Sequence, residues 1–173
     1  SVSSLANGIT VATIPSNRAE SYRILTQGIS ANPDSVTLYY SRGANYDWED
    51  HRNALNDYLK AVENFKKKAN PNASEKIYAR IAISQAANKY HFLKDDAAAV
   101  STINVCDELF PDSLDCLKSK GDLYNGQLKA FGKAIEPYTK LIELYPSKKS
   151  AETTVDVPNA IYSLAEAYFG LND

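Results

Sequence analysis

Between Tyr39 and Ala61 the chain reads YYSRGANYDWEDHRNALNDYLKA, a short span holding four tyrosines, the single Trp, one of the two His and several charged residues. Such a set is open to several chemistries. Proton transfer needs a base within hydrogen-bond reach of its partner. His51 lies between Asp50 and Arg52 with no Ser or Cys nucleophile motif nearby in sequence, and reads as a solvated turn histidine. Metal binding would draw on Asp47, Glu49, Asp50 and His51, but helix termini and turns collect acids for their own electrostatic reasons. KDD at 94–96 likewise reads as a turn and a helix N-cap. CxxC spacing is missing, so a zinc site is not expected. Nucleotide chemistry lacks GxGxxG and GxxxxGK[ST]. The reading is therefore non-enzymatic, with no cofactor and no metal.

The same stretch is one copy of a recurring order. Tyr39, Arg42-Gly43 and Tyr46 are followed by Ala54, Tyr58 and Ala61. The order returns as Ile83, Ala86-Ala87, Tyr90, then Ala99, Ile103, Cys106 and Pro111. It returns again as Leu117, Lys120-Gly121, Tyr124, then Ala134, Tyr138, Leu141 and Pro146. A partial copy, Ile161, Leu164-Ala165 and Tyr168, ends the run. Before all of these stands an orphan second half: Ser21, Leu25, Gly28 and Pro33. Small residues at Gly43, Ala87, Gly121 and Ala165 let paired helices approach closely, and the aromatics fill the gaps between them. Pro33, Pro111 and Pro146 are expected to end second helices. Asn72-Ala-Ser-Glu75 reads as a capping box, although Asn72-Ala-Ser74 also fits a glycosylation acceptor if the chain is a eukaryotic secreted one. The spacing predicts helices near 17–30, 35–48, 51–69, 73–92, 95–109, 113–126, 130–145 and 158–170.

This order resembles the tetratricopeptide repeat family over about residues 17–173. The interval from Tyr90 to Tyr124 matches that family's repeat of roughly 34 residues. The intervals from Tyr46 to Tyr90 and from Tyr124 to Tyr168 are longer, which places insertions at 64–76 and 147–158. Arg42 and Lys120 depart from the family, standing where it usually has an aliphatic residue. The resemblance implies an all-α fold, an α-solenoid of antiparallel helical hairpins in a right-handed superhelix. Its expected parts are a half repeat at 17–33, full repeats at about 35–69, 73–111 and 113–146, and a terminal helix at 158–170. Residues 1–16, with GITVATIP, suit an extended arm or a decayed first helix.

In such arrays the first helix of each pair lines a concave face. Helical spacing then points Tyr40, Asp47 and Trp48 into the groove, followed by Asn88, His91 and Phe92, then Lys118, Asp122 and Asn125, and last Tyr162, Glu166 and Phe169. Packing between neighbouring repeats is the other reading for Trp48 and Phe92. The expected function is a protein-interaction module or scaffold holding a peptide or helix. The alternative is an accessory domain whose groove takes a small molecule such as a sugar. The family's carboxylate clamp for heat-shock-protein tails is disfavoured. Ile81, Ser84, Gln85 and Ser119 stand where basic residues would be needed, and only Lys118 and Asn88 suit it.

Composition sets the outer limits. The chain has 173 residues, 44% hydrophobic and 23% charged, with a formal charge of -2, enough apolar residues for a sizeable core. No basic block exists, so nucleic acid is not an expected partner, and no apolar run is long enough for membrane insertion. The chain opens SVSSLANG and has no Met, which reads as processing or trimming. The compartment stays open: cytoplasmic or, with a targeting segment removed, periplasmic or secreted. Cys106 and Cys116 flank Pro111 in CDELFPDSLDC. They read either as a disulfide across a helical hairpin or as two small semi-buried apolar residues. The terminal helix 158–170 lacks a partner helix, which makes self-association through it a further expectation.

Overall fold

The structure is a computed structural model that describes residues 16–46, 50–148 and 155–171. Among these, every regular element is a helix and no strand is present. The chain divides into two compact units, Ser1–Lys89 and Tyr90–Asp173, with the division near the end of one helix.

The first unit holds α1 (Ser16–Ala31), α2 (Val36–Tyr46), α3 (His51–Lys66) and most of α4 (Ala73–Phe92). Helix starts are set locally by side-chain oxygens that accept the first free backbone N–H groups. Ser35 Oγ accepts from Leu38 N at 3.2 Å and Asp50 Oδ1 from Asn53 N at 3.0 Å. At α4 the capping box is reciprocal: Asn72 Oδ1 accepts from Glu75 N at 2.9 Å, and Glu75 Oε2 from Asn72 N at 3.0 Å. Leu25 and Ile29 of α1 pack on Leu38 of α2.

Helix α2 meets α3 over Gly43. A Cβ there would lie 2.9 Å from the Tyr58 ring, so the missing side chain is what admits the tyrosine. Arg42 donates from Nε and Nη2 to both oxygens of Asp57, each at 2.8 Å, and its guanidinium lies over the Tyr22 and Tyr39 rings. The cation, which stands where the resemblance leads one to expect an aliphatic residue, is thus paired and stacked. Tyr46 meets Tyr22 edge to face, and burial together with the Tyr22 hydroxyl pushes its phenol up to about 12.

The second unit holds the end of α4, α5 (Asp96–Leu109), α6 (Leu114–Asp122), a π-turn (Leu123–Gln127), α7 (Phe131–Lys148) and α8 (Val157–Gly170). Asp95 caps α5 and Ser113 caps α6. The Cys106–Cys116 disulfide joins α5 to α6 across the turn between them, with Cα atoms 5.7 Å apart. Gly121 repeats the role of Gly43, since a Cβ there would lie 2.5 Å from the Tyr138 ring. Tyr124, Ala134, Tyr138 and Ala167 form one core; Leu114, Leu117, Leu141, Val155 and Ala160 form another.

Three helix expectations are corrected. Pro146 does not end its helix, because α7 runs through it to Lys148. A proline this close to a helix end removes one hydrogen bond from the last turn, where few remain to be lost. The segment ending the expected helix 113–126 is a π-turn, closed by Leu128 N donating to Leu123 O at 3.0 Å. The insertion at 64–76 adds a loop after Lys66 and does not carry α3 to residue 69. Residues 149–154 of the second insertion, and the expected arm 1–16 apart from its last residue, lie outside the described residues.

Candidate functional site

The second unit brings part of the expected groove set together. Helix α8 places Tyr162, Glu166 and Phe169 on one flank, as their spacing of four and three residues requires. They line an open cavity of about 670 Å³ with Asn125, Gly126, Lys129, Phe131, Ala165 and Gly170. That volume lies in the range of small-ligand and side-chain pockets.

The π-turn builds the opposite wall. Its extra residue per turn breaks the α-helical register, and Lys129 then takes φ 52, turning the chain into α7. Gly126 leaves open space: an added Cβ would meet nothing within 4 Å. Phe131 closes one end, its ring lying on the Gly170 backbone, 2.8 Å from where a Cβ would stand. The exposed aromatics at the mouth are Tyr162 and Phe169, 63% and 71% accessible.

Asn125 is the polar feature of this wall. Its residue is buried, and its Oδ1 takes no hydrogen bond among the described residues. A buried acceptor without a donor costs about 1–3 kcal/mol, so this wall holds an unmet acceptor that is closed to solvent. Behind the cavity the Tyr138 hydroxyl donates to Asp122 Oδ1 at 2.8 Å. Burial, then the Asp122 and Glu166 carboxylates, raise the Tyr138 phenol well above its ordinary value. It is therefore a fixed donor and not an acid.

The other expected residues are placed as follows. Lys118 Nζ bonds Asp122 Oδ2 at 2.5 Å, so these two charges answer each other. His91 Nδ1 lies 2.7 Å from Asp96 Oδ1, at the start of α5, and its ring is 6.2 Å from that of Phe92. Phe92 is exposed at the end of α4. In the first unit Tyr40 is half-buried between the rings of Tyr58 and Tyr78, at 5.8 and 4.9 Å, and Asn88 is half-buried on α4. Asp47 and Trp48 lie outside the described residues. The sequence reading missed Gly126, Lys129 and Phe131; the Asn125-Gly126 pair, a turn signal, was the available clue.

Among the described residues no group of three or more His, Cys, Asp or Glu is placed to hold a metal ion, and no helix is long and apolar enough to cross a membrane. Comparison of the sequence with protein-family models and with curated proteins finds no match.

Proposed function

We propose that the chain is a non-enzymatic protein-interaction module, a solenoid of helical hairpins of tetratricopeptide kind, which takes an apolar segment of a protein partner at the α8 cavity. The observation that carries this reading is the cavity wall itself. Exposed Tyr162 and Phe169 offer apolar area at low conformational cost, and the Asn125 amide behind them carries an unpaired acceptor that a side-chain movement would present to a partner. Support for the hairpin class comes from Gly43 under Tyr58 and Gly121 under Tyr138, the same small-under-aromatic contact at matched repeat positions. A second reading, a small-molecule site for a ligand such as a sugar, is favoured by the cavity volume and by aromatic faces beside an amide.

Selection of peptides from a display library, followed by calorimetric titration, tests the first reading. Tyr162→Ala and Asn125→Ala each weaken the selected peptides at least ~10-fold, since each removes about 1.4 kcal/mol or more. Peptides that bind both variants as they bind the wild type would sink it. Saccharides that displace no peptide but shift the thermal transition favour the second reading.

A further inference from the structure

Helix α8 has the sequence VPNAIYSLAEAYFG, in which Glu166 is the one charged residue. Ala160 and Ala167 are buried, whereas Ile161, Tyr162, Ala165, Tyr168 and Phe169 are exposed. At 3.6 residues per turn these five fall in the order Tyr168, Ile161, Ala165, Phe169, Tyr162 along an arc of about 120°. The small residue is at the centre and large apolar ones flank it. Glu166 lies beyond the edge.

The molecule shows what covers such a strip. At Gly43 and at Gly121 the small residue sits beneath a tyrosine of the next helix, Tyr58 or Tyr138. In both cases an alanine stands four residues before that tyrosine, Ala54 or Ala134, and is fully buried. The covering helix is thus read as Ala-x-x-x-aromatic, one turn apart on one face. Helix α8 carries both halves of this contact on its exposed side. Ala165 is the small site, and Ala165-x-x-x-Phe169 is the covering order.

We infer that the occupant of this strip is a second copy of the chain, with two α8 helices pairing antiparallel about a two-fold axis. Phe169 of each copy lies over Ala165 of the other, which is the reciprocity that an isologous contact requires. Ile161 and Tyr168 flank one side of the crossing and Tyr162 the other. The two Glu166 carboxylates stay at the margin, so no unpaired charge is buried. This inference rests on the reading of the α8 region as a protein-docking surface, and it names the partner. A 14-residue helix is about 21 Å long. The contact alone therefore buries on the order of 1,000 Å², the low end for specific interfaces, and gives a concentration-dependent dimer.

Sedimentation velocity of the full chain from about 1 to 500 μM, spanning weak association constants, tests it. The wild-type average mass rises from monomer towards twice the monomer over this range. Phe169→Glu and Ala165→Glu, at exposed positions, keep the wild-type circular dichroism and thermal transition and weaken association at least ~10-fold. A wild type that stays monomeric throughout overturns the inference, and peptide binding with loss in Asn125→Ala would still uphold the docking-surface reading. Dimers equally strong in both variants place the contact elsewhere and also overturn it. A dimer lost in both variants, with no peptide selected by the monomeric forms, supports the second copy as the occupant.

Discussion

In α6 and the π-turn that continues it, Leu117, Gly121 and Tyr124 are all buried, with the Tyr138 ring pressed on Gly121. In α8, Ile161, Ala165 and Tyr168 hold the same spacing, yet Ile161 and Tyr168 are 50% and 52% exposed. The two helices share an order and differ in cover. An amphipathic pattern states what a helix can bury, whereas burial requires a neighbouring helix with the complementary aromatic. Most helical stability comes from that packing. The exposed strip of α8 is therefore where the proposed pairing would carry the repeat pattern from one chain to a second.

The strongest way to break this comparison is to enlarge the small residue at both positions. Gly121→Leu drives a branched side chain into the space of Tyr138, displacing a buried ring and its bond to Asp122. The expected loss is about 3–5 kcal/mol, combining overpacking with loss of an aromatic from the core. Ala165→Leu on α8 changes monomer stability by no more than ~0.5 kcal/mol, as at other exposed sites. Urea unfolding of both variants at low protein concentration measures this. Similar losses at the two positions would mean that α8 is covered within one chain.

A second contrast lies between the cations at matched repeat positions. Arg42 makes two hydrogen bonds to Asp57, and their side chains are 18% and 7% exposed. Lys120 meets Asp107 at 2.6 Å, but that carboxylate is half-exposed. Asp57→Ala strands the guanidinium among Tyr22, Tyr39 and Thr26 and costs about 3 kcal/mol. Asp107→Ala costs no more than ~1 kcal/mol. Joint replacement of Arg42 and Asp57 by Met and Leu regains much of the loss, so a double variant as unstable as Asp57→Ala counts against a penalty from the unpaired charge.

Helix starts were legible from sequence because their causes are local. Asn72 and Glu75, Asp95 and Ser113 each act within three residues of themselves. Pro111 falls after its helix for a similarly local reason, while Pro146 does not, since in the last turn of α7 it removes only one hydrogen bond. The site was harder. Helical spacing put Tyr40 and Tyr162 on equivalent faces, but it cannot say what stands across from them. Tyr40 meets two rings, and Tyr162 meets a cavity. The wall at Asn125, Gly126 and Phe131 depends on the π-turn, and a one-residue change of register leaves no period to read.

The disulfide offers a test of the covered side alone. Cys106 and Cys116 are both buried and enclose a short loop, with a sequence separation of 10. Joint replacement by Ser lowers the stability of the second unit by about 2–3 kcal/mol. Ile161, Tyr168 and the α8 strip stay as exposed as before, so association in the double variant matches the wild type wherever it remains folded. Loss of association in the folded double variant would tie the strip to the α5–α6 turn.

The smallest effects lie at the helix starts, where α4 and α8 differ again. Asn72 and Glu75 cap α4 reciprocally, whereas Asp156 precedes α8 and makes no side-chain cap bond. Asn72→Ala costs about 1 kcal/mol, and Asp156→Ala costs less than half of that. Glu75 adds a pH signature. Burial alone would raise its carboxyl, but the Lys68 ammonium and the Asn72 N–H outweigh that and hold it below its ordinary 4.5. A carboxyl lowered in the folded state contributes stability above its unfolded pKa and loses it as pH falls through the folded value. Glu75→Gln keeps an acceptor for the Asn72 N–H and removes the charge. The gap between wild type and Glu75→Gln is therefore full near pH 7 and closes on acidification below 4.5, as chemical unfolding at stepped pH would show. A gap that widens on acidification instead would mean that burial, not Lys68 and the cap, sets the state of Glu75.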